Sequence, residues 1–189
     1  MAQTTTFLDE LKGAAQGCFA LLTGNRQAAA YFDFSQRGLI GSLIAFVIAS
    51  TVTAFLPQVL GFGGAPGTAT RALVLGAAMF GLQVGIAWLV LRQLGRSDGF
   101  IPFLVADNWA TFFTSFLSMT LLFTGGTSDI AFIIIGLVVL IVEINIARRI
   151  VTLSGMQVAI FIIAQLVASS IGLLLLMAIM GPSAMPMPA

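Results

Sequence analysis

The chain has 189 residues, 59% of them hydrophobic and 8% charged, against the roughly 25% charged residues of an ordinary soluble domain. A formal charge of +1 leaves no basic surface for nucleic acid, so no nucleic-acid partner is expected and the lipid bilayer is the partner that composition implies. One cysteine, Cys18, and no histidine exclude an internal disulfide and imidazole chemistry, and no cofactor or metal is expected.

The opening residues, MAQTTTFLDELKG, lack a basic segment followed by an apolar one, so no cleaved signal peptide is expected. Phe7, Leu8, Leu11, Ala15, Cys18, Phe19 and Leu22 recur at helical spacing, with Asp9, Glu10, Lys12 and Gln16 on the other side. Thr6 is placed to cap that helix through its hydroxyl. The pattern predicts an amphipathic helix lying along the cytoplasmic membrane face or packed under a bundle. TGNRQ then breaks it, and YFDFSQRG brings Tyr31, Phe32 and Phe34 beside Asp33 and Arg37. Aromatic rings favour headgroup depth, so this stretch reads as an anchoring elbow or as a docking surface for a partner.

A helix needs about 20 mainly apolar residues to cross the hydrocarbon core. Windows of that kind fall at 39–56, 72–94, 101–123, 130–147 and 157–180. Breaks separate them: the Gly- and Pro-rich run 57–67, the polar 92–99, TGGTSD at 124–129, and 147–156 with its two arginines. The fold class is therefore all-α, a polytopic five-helix membrane bundle preceded by an interfacial helix. Residues 1–37 form the cytoplasmic helix and elbow, 38–181 the transmembrane domain and 182–189 a flexible extracytoplasmic tail. With the N-terminus inside, Lys12, Arg26, Arg37, Arg92, Arg96, Arg148 and Arg149 are cytoplasmic and Arg71 alone is outside. That bias predicts a cytoplasmic N-terminus and an extracytoplasmic C-terminus in a bacterial inner membrane.

Two acids stand at membrane depth. Asp107, in VADNWATFF, lies roughly 10 Å into the third span, and Glu143 roughly 7 Å from the cytoplasmic end of the fourth. A short outer turn makes those spans antiparallel neighbours, so the carboxyls are expected at similar depth facing one cavity. A carboxylate facing lipid costs roughly 2.5–3.5 kcal/mol at the bilayer centre, which drives both toward protein or water. Two carboxylates side by side need a shared proton or a cation. Asn145 aligns with Arg148 and Arg149 at helical spacing. Asp107, Asn108, Glu143, Asn145 and Arg148 are thus expected in one polar network, either fixing helix packing or forming a vestibule for a proton, a cation or a lipid headgroup. Gln83 and Gln165 add amides at depth, and Gly81 and Gly85 in GLQVG have the small-xxx-small spacing of close helix packing, within the monomer or across an oligomer. No nucleophile elbow, HExxH helix or phosphate-binding loop accompanies the acids, so no catalytic residue is expected and the chain is read as non-enzymatic.

YFDFSQRGLIGS leading into the first span, NWA in the third and EINIARRIVTLSG closing the fourth, on five spans with short loops, resemble bacterial members of the Yip-like superfamily, including an alphaproteobacterial family of such proteins. Eukaryotic relatives are trafficking and membrane-shaping factors that engage small GTPases through cytoplasmic segments. Their DLxGPL motif is absent here, where FDFSQRG occupies the equivalent place, so the resemblance implies fold and topology. The expected function is an assembly, scaffold or membrane-organising factor that works with other membrane proteins or as a homo-oligomer. The alternative is a small transporter or channel-like protein using the Asp107 and Glu143 vestibule.

Overall fold

The computed structural model describes residues 6–61, 66–123 and 129–180. It contains six helices: α1 (Phe7–Leu22), α2 (Gln36–Val59), α3 (Thr68–Gln93), α4 (Phe100–Phe123), α5 (Asp129–Asn145) and α6 (Gly155–Met180). The last five are long and apolar enough to cross a membrane, and no strand occurs among the described residues. Each of the five predicted windows lies on one of them. The run 57–67 breaks later than expected: α2 continues two residues past Pro57, because a missing N–H near a helix end frees little backbone. The predicted turn at 124–129 and the tail at 182–189 fall wholly or mostly outside the described residues.

Helix α1 begins where the sequence places its cap. The Asp9 N–H donates to Thr6 Oγ1 at 3.3 Å, while the Thr6 N–H and hydroxyl donate back to Asp9 Oδ2 at 2.9 and 2.7 Å. These donors hold the Asp9 carboxyl below its ordinary value. The helix packs under the bundle rather than apart from it, with Ala14, Gly17, Ala20 and Leu21 buried against α4 and α5. One placement differs from the amphipathic reading. Glu10, expected on the polar side, is half-buried, and its carboxyl occupies the space that a side chain at Gly41 on α2 would fill.

The spans associate mainly as two pairs, α2 with α4 and α3 with α6, with α5 on the flank of α4. Phe46 of α2 stacks on Phe80 of α3 at 4.2 Å, and Phe103 of α4 meets Phe161 of α6 edge-on at 5.1 Å. Fully buried Leu21, Leu91, Val105, Trp109, Ile146 and Phe161 all belong to one core, at the end of the bundle where α1 sits. Toward the other end, Val59, Val74, Ile130 and Leu174 are exposed, as helices facing lipid are.

The loops at the α1 end are tied down. Arg96, after α3, donates to the backbone oxygens of Val151 and Thr152 at 2.6 and 2.9 Å and to the Thr152 hydroxyl at 2.6 Å. Thr152 has φ of 60°, a left-handed conformation that a β-branched residue resists. The three charge-assisted bonds from one guanidinium offset that cost.

Candidate functional site: a polar cavity inside the bundle

Helix α4 is the most buried of the five spans, as its hydroxyl-rich sequence suggests. Successive helical residues point about 100° apart, and Asp107, Asn108 and Trp109 use that to address three different neighbours. Asn108, fully buried, turns to α2 and donates through Nδ2 to Ser42 Oγ at 3.1 Å; the Ser42 hydroxyl donates in turn to the Leu39 carbonyl at 2.9 Å. Trp109 turns to α1, where its ring lies 5.9 Å from that of Phe7 and its indole N–H is near enough to the Glu10 carboxyl to favour its charged form. Asp107 turns to α5 and meets Glu143.

The two carboxyls are close neighbours, and a carboxylate pair at that range calls for a shared proton or a cation. They share a cavity of about 230 Å³, whose polar wall also includes Gln83 of α3 and Gln165 and Ser169 of α6. Four helices thus contribute to one chamber. Gln83 Nε2 donates to Ser169 Oγ at 3.3 Å, and Gln165 Nε2 donates to the Gln83 carbonyl at 3.4 Å. Gln165 Oε1 is buried with no hydrogen-bond partner among the described residues. The two amides noted in the sequence at membrane depth therefore belong to the same site as the acids.

The five-residue network expected from sequence divides into separate contacts. Asn108 pairs with Ser42, on a different side of α4 from Asp107. Asn145 donates to the Leu21 carbonyl of α1 at 2.9 Å, stapling α5 to the N-terminal helix rather than to an arginine. Arg148 is exposed and makes no ion pair among the described residues. The reason is local. Residues Ile146–Ile150 form a π-helical turn, whose wider winding rotates Arg148 and Arg149 off the face that α-helical spacing from Asn145 gives.

Gly81 and Gly85 also differ from the monomer-packing expectation. A Cβ built at either glycine meets no atom within 4 Å, so no other described helix closes directly on these two positions. The elbow is an internal joint: Phe32 is buried over Gly17 and stacks on Phe34, while Tyr31, Asp33 and Arg37 remain exposed. Sequence reasoning passed over Ser42 and gave no structural contact to Glu10 or Arg96. Glycine at 41 and the buried indole at 109 decide the place of Glu10, and neither has a local signature.

Five spans with an N-terminal capping helix and an internal polar chamber define a multi-pass α-helical membrane protein. No family model, curated protein or solved structure matches the chain.

Proposed function

We propose that this chain is a non-enzymatic inner-membrane protein of the small transporter or channel-like kind, with the Asp107–Glu143 cavity as its cation or proton site. The observation that carries the reading is the meeting of two carboxyls from different spans inside a chamber lined by four helices. A purely structural contact between α4 and α5 is achieved more cheaply by apolar residues, since ionisable groups at membrane depth cost several kcal/mol, of order 2.5–3.5 each. The resemblance of its architecture and a few motifs to Yip-like proteins concerns topology and is compatible with this function.

The test is flux in proteoliposomes under an imposed pH or cation gradient. Wild-type protein is expected to dissipate the gradient, and Asp107→Asn and Glu143→Gln to abolish that activity while leaving folded yield intact. A hydrophobic carbodiimide, which attacks protonated carboxyls in membranes, is expected to label one of the two acids. Wild-type vesicles no leakier than empty ones, with both variants simply less heat-stable, would falsify the proposal.

A second reading, assembly or scaffolding with other membrane proteins or a second copy, draws on a separate observation. The open Gly81/Gly85 face and the exposed Tyr31, Asp33 and Arg37 are uncovered surfaces of a small bundle.

A further inference from the structure

Resting on the reading of the cavity as a binding site, we infer that its ligand is a lipophilic ammonium ion, an amine cation carrying an apolar body, that enters from the bilayer between α5 and α6. Three observations carry this. The first is the polarity of the wall. It offers two carboxyls and the unpartnered Gln165 Oε1, while both amide nitrogens are already engaged on protein oxygens and no lysine or arginine lines the chamber. Spare acceptors without spare cations call for a ligand that brings positive charge and N–H donors.

The second is the rest of the wall. Phe103, Val139, Leu140, Ile162 and Leu166 surround the acids with hydrocarbon and one aromatic ring. A bare metal ion wants six or more converging oxygens, and no group of three or more metal-ligating side chains occurs among the described residues. An ammonium with an apolar substituent uses both parts of the surface, and Phe103 can face its charge. The third is the mouth. Leu140 and Leu166 line the cavity and are also exposed on the helix surfaces, and α5 packs only sparsely on α6, so the opening faces lipid. A cation that partitions into the membrane reaches the carboxyls by that route.

The amine could be a free amphiphile or the headgroup of an aminophospholipid, and the experiment separates them. Wild-type protein in nanodiscs of phosphatidylcholine and phosphatidylglycerol is titrated with radiolabelled 2-phenylethylamine. Saturable binding is expected, weakened at least about tenfold by Asp107→Asn or Glu143→Gln, the scale for removing one partner of a buried charge pair. Because those variants touch the helix contact, Gly136→Leu serves as an independent probe. Gly136 lines the cavity and a Cβ built there meets no atom within 4 Å, so a leucine has open space in which to start into the chamber, and binding is expected to be lost with folding preserved. Phenyltrimethylammonium, which has no N–H, is expected to compete poorly.

Suppression of amine binding by added phosphatidylethanolamine assigns the site to the headgroup source, and persistence of binding assigns it to a free amine. No saturable binding above empty nanodiscs, equal binding by all variants, equal competition by the quaternary ion, or displacement by sodium or potassium at matched concentration each overturns the inference. Gradient dissipation by the same preparation without amine binding would sink this inference alone and leave the cavity's role as a proton or inorganic-cation site standing.

Discussion

At the scale of single residues, the contact between Asn108 and Ser42 shows what a polar group contributes at membrane depth. Asn108 is completely buried, with one bond from Nδ2 to Ser42 Oγ and no partner for Oδ1 among the described residues. Removing the serine hydroxyl strands the amide donor, at a cost of about 1–2 kcal/mol. Ser42→Ala is therefore expected to lower the thermal midpoint in detergent. The double variant Ser42→Ala with Asn108→Leu is expected to recover much of the loss, since replacing both partners removes the stranded group. Intrinsic tryptophan fluorescence can follow unfolding, because Trp109 is 1% exposed and adjoins the contact. A double variant no better than the sum of the single ones would show that the hydrogen bond, not the stranded donor, sets the energy. The same residues explain why three polar-to-aromatic positions in a row are tolerated in a span: each is absorbed by a different neighbour.

Among elements, α1 is where sequence and tertiary structure divide most clearly. Its limits, its Thr6 cap and its apolar repeat were readable because they are local, and so were the five spans, which follow from length and hydropathy. The similar depth of Asp107 and Glu143 was readable, but whether they face each other was not, because that depends on how α5 is rotated against α4. The placement of Arg148 was not, because a π-helical turn resets the angular count, and Gly81 with Gly85 shows that small-residue spacing permits an approach without supplying a partner. Glu10 escaped because the choice of buried face belongs to Gly41 and Trp109. Burial, with the charge of Asp33, raises the Glu10 carboxyl above its ordinary value, outweighing Arg37 and the Trp109 indole N–H. An acid raised in the folded state binds its proton more tightly there than in the unfolded chain, so its contribution favours folding at low pH and is lost as pH rises through the folded value. Glu10→Gln, which keeps an acceptor for the indole, is expected to raise the thermal midpoint at pH 7–8. That advantage should shrink as pH falls toward the ordinary carboxylate range, near about 4.3. An unchanged midpoint at both ends would mean that α1 docks without regard to this charge.

For the whole molecule, the bundle gathers its charge at one end. Arg92 in the last turn of α3, Arg96 just after it, and Arg148 and Arg149 after α5 lie at the end that α1 covers, whereas Arg71 belongs to the first turn of α3 at the opposite end. A positive-inside bias acting on such a molecule predicts that α1 and the Ser97 loop face the cytoplasm. The prediction is testable without removing the native cysteine, because burial pushes the Cys18 thiol up to about 12. Thiol reagents attack the thiolate, so at pH 8 Cys18 is expected to stay unlabelled in the folded protein and to react only after denaturation. Ser97 is exposed beside Asp98, and Ser128, outside the described residues, lies in sequence between α4 and α5. A membrane-impermeant maleimide applied to intact spheroplasts should therefore modify the Ser128→Cys variant, and should modify Ser97→Cys only after permeabilisation. The reverse pattern would turn the molecule over. The carboxyl pair would then lie in the outer leaflet, and a ligand reaching it through lipid would have to come from the extracytoplasmic side.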